Sequence, residues 1–178
     1  MNVLILLGSL RSDSYNALLA REIVDMMPEG TTATIYDGLA DLPHYNEELE
    51  DDNVPAPVAA FRGAAGRADA IIVVTPEYNG AVSSAIKNAV DWGSRPYGQG
   101  ALHGKPAVVF SATGSPRGGE WARENAVRIL TVAGADVQPD TVGVPSAHEV
   151  FVNGKLTGDE LRERVTEGLA QIVAPVTA

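Results

Sequence analysis

Residues Gly8 to Asn16, GSLRSDSYN, directly follow the apolar run Val3-Leu4-Ile5-Leu6-Leu7. A strand that stops on glycine and opens into a helix presents unpaired backbone N–H groups and a partial positive charge, which together suit a phosphate. Ser9, Ser14 and the Asn16 amide add hydrogen-bond donors, and Arg11 adds a charge-assisted pair. A terminal phosphate monoester would use all of these. The plainer alternative is that Ser14 or Asn16 simply caps the helix that follows.

Two later stretches have the same turn-like character. TPEYNG (Thr75 to Gly80) follows a second apolar run. Its Asn79-Gly80 pair favours positive φ, Tyr78 supplies an aromatic face and Glu77 an acceptor. Such a loop could offer main-chain N–H groups to the edge of a flat heterocycle, or be a tight turn before a helix capped by Ser83 or Ser84. SATGSPRGG (Ser111 to Gly119) is nearly free of bulk, so a ligand could approach its backbone, or it is a mobile surface loop. Arg117 is its only charge.

Other chemistries fail. GALHGKP (Gly100 to Pro106) has one residue too few for a P-loop, and Pro106 stands where Ser or Thr would meet magnesium. There is no Gly-x-Ser-x-Gly elbow, and the first loop lacks the spaced glycines of a dinucleotide fingerprint. With no cysteine, thiolate chemistry and disulfides are excluded. His44, His103 and His148 are far apart, so no metal site is expected.

The elements that must position these loops alternate. Strands are expected over Asn2–Leu7, Thr32–Tyr36, Ala70–Val74 and Ala107–Phe110, with a fifth over Val137–Val144 that Pro139 interrupts or offsets. Helices are expected over Asn16–Met27, Val58–Arg67, Ala81–Trp92, Glu120–Ala133 and Asp159–Val173. This order predicts an α/β fold with parallel strands and helices on both faces, the ligand lying beyond the carboxyl ends of the strands. The long connection from Asp37 to Pro57 carries an acidic cluster, Glu47, Glu48, Glu50, Asp51 and Asp52, read as a solvated surface.

The 178 residues suit a single domain over 1–178, and 45% hydrophobic content can fill its core. A net charge of −10 argues against nucleic acid and anionic membrane as partners. No stretch reaches the ~20 apolar residues of a membrane span. The start carries no basic, signal-like segment, so a cytoplasmic protein is expected.

Taken together, Gly8-Ser9-Leu10-Arg11 with Ser14 and Asn16, Pro76-Glu77-Tyr78-Asn79-Gly80, and Lys87-Asn88-Ala89-Val90-Asp91-Trp92 resemble the NAD(P)H-dependent FMN reductases. That flavodoxin-like group includes quinone, azo-dye and chromate reductases. The resemblance extends to Leu42-Pro43-x-Tyr45, Gly134-Ala135 and Leu156-Thr157-x-x-x-Leu161. It implies a flavodoxin-like, five-stranded parallel sheet of order 2-1-3-4-5. It implies noncovalent FMN, its phosphate on Ser9, Arg11, Ser14 and Asn16. Pro76, Glu77, Tyr78, Asn79 and Gly80 would line the isoalloxazine ring, with Ser111, Thr113 and Gly114 on its other side. NADPH or NADH would be the co-substrate and a quinone-like small molecule the acceptor, in a ping-pong cycle with no catalytic side chain. A homodimer or homotetramer is implied, with Asp91, Trp92 and Arg95 as interface candidates. Ser115-Pro116-Arg117 departs from the family's plainer glycine-rich turn; Arg117 there either meets a 2′-phosphate or is solvated. The rival reading is an electron-carrying flavodoxin, whose phosphate loop, Ser/Thr-x-Thr-Gly-Asn-Thr, differs from Gly8–Asn16.

Overall fold

Strand β1 (Asn2–Leu7) sends Leu4 and Leu6 into one core and Val3 and Ile5 into another. That is the period-two arrangement of a strand covered on both faces. The computed structural model describes residues 1–50 and 54–173. Asp51 and Asp52 of the acidic cluster lie outside them.

Parallel pairing joins β1 to β2 (Thr32–Tyr36) and β3 (Ala70–Val74), β3 to β4 (Pro106–Ala112), and β4 to β5 (Asp136–Val137). The order is β2-β1-β3-β4-β5, as expected, and the fold is flavodoxin-like. One face carries α2 (Ala56–Arg67), α3 (Ser84–Gly93) and α4 (Glu120–Val132), packed through Phe61, Ile86, Trp92 and Leu130. The other carries α1 (Tyr15–Asp25) and α6 (Asp159–Ala170), packed through Leu19, Ile23, Val165 and Leu169.

The expected fifth strand is in fact two pieces. β5 pairs with the start of β4, and β6 (Val142–Val144) with its end, Phe110 opposite Val142 and Ala112 opposite Val144. Pro139 lies between them and has no N–H to continue the ladder. Arg123 of α4 secures the far side of the break, donating through Nη1 to the Thr141 carbonyl at 3.2 Å and Oγ1 at 3.0 Å. Burial is the main cause lowering the pKa of Arg123, which stays a cation.

α3 begins at Ser84 and not at Ala81, because Ser83 has extended backbone and its Oγ accepts from the Ile86 N–H. A hairpin absent from the sequence reading follows the short α5 (Ala147–Val150): β7 (Phe151–Val152) and β8 (Lys155–Leu156). Asn153-Gly154, at φ 50° and 80°, forms its turn.

The hairpin is tied down by charge. Glu22 of α1, 2% exposed, accepts Arg162 of α6 at 2.7 Å and Lys155 of β8 at 3.0 Å. Lys155 also reaches Asp25 at 2.7 Å. Arg162→Ala leaves the buried carboxylate with one exposed cation, and urea unfolding should show a loss of about 1–3 kcal/mol. The Asp25 hydrogen bond, then that of Glu22, raises Lys155 above its ordinary 10.5. A cation raised on folding stabilises fully below pH 10.5 and loses that contribution as pH climbs through its folded-state value. Lys155→Met should therefore flatten the alkaline limb of the stability profile.

Candidate functional site

β1, β3 and β4 end along one edge, and main-chain bonds hold their loops side by side. The Gly8 N–H donates to Val74 at 2.8 Å, Thr75 to Phe110 at 3.0 Å and Thr113 to Val144 at 3.1 Å. The three loops singled out from sequence thus meet at a single edge.

In the first loop, Ser14 is the N-cap of α1: its Oγ accepts from the Ala17 N–H at 3.0 Å and its carbonyl from Leu18 at 3.0 Å. Capping uses a lone pair and leaves the hydroxyl proton to donate elsewhere, so capping and anion binding coexist. The Tyr15 and Asn16 N–H groups precede the first intrahelical bond and open toward the loop. Ser9 is buried at 5% exposure. Arg11 is exposed, with no carboxylate partner among the described residues.

Asn16 also has a structural role. Its side chain is engaged twice with Ala112, donating to the carbonyl at 2.9 Å and accepting from the N–H at 3.0 Å. The amide therefore locks the start of α1 to the end of β4, and its second amide proton and the main-chain N–H of Asn16 remain for an anion.

In the second loop, Asn79 and Gly80 have φ 52° and 73°, and Tyr78 and Ala81 exchange bonds at 3.0 and 3.1 Å. This is the mirror-image turn that Asn-Gly favours, and its own bonds leave the Asn79 and Gly80 N–H groups unused. Pro76 is buried beside Gly8. Glu77 acts as an acceptor across the site. Its carboxylate accepts from the Ala122 N–H at 3.2 Å and so caps α4, whose own N-cap, Gly119, has no side chain to do so. Tyr78 is 55% exposed.

The third loop begins inside β4. Ser111 is fully buried and its Oγ has no hydrogen-bond partner among the described residues. Gly119, at φ 72°, lies against it, and a Cβ there would collide with the Ser111 hydroxyl. Thr113 is half-buried and Gly114 exposed. The Arg117 guanidinium sits 5.0 Å over the Trp121 ring.

Trp121 and Leu10 escaped the sequence reading. They are 51% and 64% exposed and, with Tyr78, put one apolar side chain on each of the first two loops and one at the start of α4. The signal for Trp121 was its phase: Ala122, Ala126 and Leu130 mark the inward face of α4 and put Trp121 outside it.

A groove of about 500 Å³ lies elsewhere, between α3 and α4, lined by Val90, Arg95, Tyr97, Ile129 and Val132. Trp92 is not part of any exposed face. It is fully buried, donates to the Pro43 carbonyl at 2.8 Å, and meets Tyr45 edge-on at 5.0 Å. Glu50, expected as solvated surface, is instead partly buried between Arg62 and Arg95, at 3.8 and 3.7 Å. Burial is the main cause raising the pKa of Tyr45.

The geometry offers an anion seat at the start of α1, N–H groups at a tight turn, an orphaned buried hydroxyl and an apolar rim. Several known proteins are similar to this chain. A quinone reductase of Pseudomonas putida is 42% identical over 127 residues, 71% of this chain and 67% of that protein. An NAD(P)H-dependent FMN reductase of Pseudomonas aeruginosa is 35% identical over 173 residues, covering 95% of this chain and 91% of the relative. The solved structure of FerB, a flavoenzyme NAD(P)H:(acceptor) oxidoreductase from Paracoccus denitrificans, superposes with a TM-score of 0.83 at 28% identity, over 96% of this chain and 94% of FerB. The family model described as NADPH-dependent FMN reductase matches residues 1–149, a span that contains all three loops, and the chain belongs to that family.

Proposed function

We propose that the three loops hold FMN without a covalent bond and that the protein passes electrons from NADPH or NADH to quinones or similar small acceptors. Membership of the family makes the chain an oxidoreductase. The observation that carries the reading is the convergence of the α1 anion seat with the Asn79-Gly80 turn on one edge of the sheet. The residues fit the group. Ser9, the Ser14 hydroxyl, Arg11 and the Tyr15 and Asn16 N–H groups would hold its phosphate. Pro76, Tyr78, Asn79 and Gly80 would line its ring, with Glu77 fixing that turn to α4. The buried Ser111 hydroxyl, which needs a partner, would face it with Thr113 and Gly114.

When bound, FMN supplies the hydride-accepting and electron-releasing chemistry. The chain supplies position and electrostatics. The Asn79 and Gly80 N–H groups favour negative charge at the ring edge. Leu10, Tyr78 and Trp121 offer apolar surface to flat substrates. A single open face serves donor and acceptor in turn, so the kinetics should be ping-pong. No side chain is needed as acid or base, and none is assigned as catalytic.

Tyr97 and Val132, 85% and 79% exposed beside the α3–α4 groove, are the surface through which a homodimer or homotetramer would form. No helix among the described residues is long and apolar enough to cross a membrane.

The test is direct. Purified protein mixed with FMN should retain yellow colour through gel filtration, and NADPH or NADH should bleach it within seconds in the absence of oxygen. A quinone should restore the colour, and initial rates should give parallel double-reciprocal lines. Flavin that binds but bleaches sluggishly would favour the electron-carrier reading, and flavin that does not bind would end both.

A further inference from the structure

We propose that Arg117, held against Trp121, selects NADPH over NADH by receiving the 2′-phosphate of its adenosine. The assignment rests on the reductase reading above and adds a specificity-determining residue to it. The two dinucleotides differ only in that phosphate. Discrimination therefore needs a cation placed beyond the reacting ring, on the path that the rest of the dinucleotide must take.

Arg117 is exposed at the crest of the third loop, and no carboxylate pairs with it among the described residues. Its position is nevertheless defined. Its main-chain N–H donates to Ser115 Oγ at 3.2 Å, and its guanidinium lies 5.0 Å over the Trp121 ring. A guanidinium stacked on an aromatic face keeps its planar fork of donors, which suits a phosphate bidentately.

Trp121 connects this cation to the proposed ring site. A Cβ on Gly80 would stand 3.5 Å from its indole, so the tryptophan borders the Asn79-Gly80 turn. From there a groove of about 370 Å³ runs along α4 past Glu124, Asn125 and Arg128. Asn125 uses its Oδ1 to accept from the Val82 N–H at 3.2 Å, which leaves its amide protons to donate. Arg128 is the other cation here. Glu124 lines the same groove one helical turn earlier and offsets its charge. The Arg117 end is thus the better seat for a phosphate dianion, with the indole beside it for the adenine.

The experiment compares the FMN-loaded protein with Arg117→Ala, Arg117→Lys and Trp121→Leu. Calorimetric titration with adenosine 2′,5′-bisphosphate and with 5′-AMP reads binding without turnover. The unsubstituted protein should bind the bisphosphate about tenfold more tightly, and Arg117→Ala should level the two. In steady state, Arg117→Ala should lower the NADPH to NADH ratio of kcat/KM about tenfold, through KM and not kcat. Arg117→Lys should restore part of that ratio, and Trp121→Leu should lower it about threefold, because an unstacked guanidinium is less well placed. Equal binding of the two adenosine ligands by the unsubstituted protein overturns the assignment. So does an Arg117→Ala variant whose KM rises equally for both dinucleotides, which would put the guanidinium on the diphosphate they share. Failure to retain flavin is read first, from the absorbance of the sample, and sinks the reductase reading and this assignment with it.

Discussion

Arg11→Ala is expected to weaken FMN binding about 10- to 100-fold, the range of one lost charge-assisted contact. The melting temperature of the flavin-free protein should not change. Arg11 is exposed and has no carboxylate partner among the described residues, so the fold does not depend on it. Riboflavin, which lacks the phosphate, separates this from general damage: its affinity should be the same with and without Arg11. Raising the salt concentration should weaken FMN binding to the unsubstituted protein more than to the variant, since an exposed ion pair is screened. Arg11→Lys should recover only part of the affinity, because an ammonium lacks the planar fork. Ser14→Ala should behave differently, losing affinity and also about 1 kcal/mol of stability, because Ser14 Oγ caps α1 through Ala17. Fluorescence titrations read all of these. If FMN and riboflavin lose affinity equally in Arg11→Ala, the phosphate is not where we place it.

The sequence was informative wherever local rules act alone. Apolar runs leading into Gly8 and Thr75 located two strand ends, the run ending at Phe110 stopped two residues short of a third, and the alternation with helices implied that these ends share one edge. Asn79-Gly80 announced its turn because few other residues tolerate positive φ at two successive positions. What could not be read depends on partners distant in the chain. Asn16 was read for its amide donors, and local rules do not show that this amide also pairs with Ala112, 96 residues away. Glu77, read as an acceptor in the second loop, caps a helix that starts 43 positions later, at Glu120, where Gly119 has no side chain to do so. Trp92 shared a helix with exposed charges and is nevertheless the largest fully buried side chain. In each case a polar or amphipathic group has a tertiary partner that local rules do not reveal. Asn153-Gly154 is the reverse case, a local signal overlooked because its strands have only two residues each.

Gly8 carries a steric argument that links the first loop to the second. Its backbone needs no positive φ, so conformational freedom is not why glycine stands there. Space is. A Cβ at this position would lie 2.7 Å from Ile86 Cγ1, 2.7 Å from Ser83 Oγ and 3.1 Å from Pro76 Cδ. None of these can move cheaply. Ile86 is fully buried, Ser83 caps α3 through the Ile86 N–H, and Pro76 is fixed in the loop that carries the Asn79-Gly80 turn. Gly8→Ala should therefore cost about 2–5 kcal/mol, combining overpacking with damage to a helix cap. It should also push the first and second loops apart, so FMN affinity falls although no contacting side chain has been removed. Gly66→Ala is the matching control. Gly66 lies in α2, where an added methyl would meet nothing within 4 Å, and alanine there should be neutral or stabilise by up to about 1 kcal/mol. Urea unfolding and FMN titration of the two variants together decide the matter. If Gly8→Ala unfolds at the same urea concentration as the unsubstituted protein and binds FMN equally well, the close approach of α3 to the first loop is not what holds the site in shape.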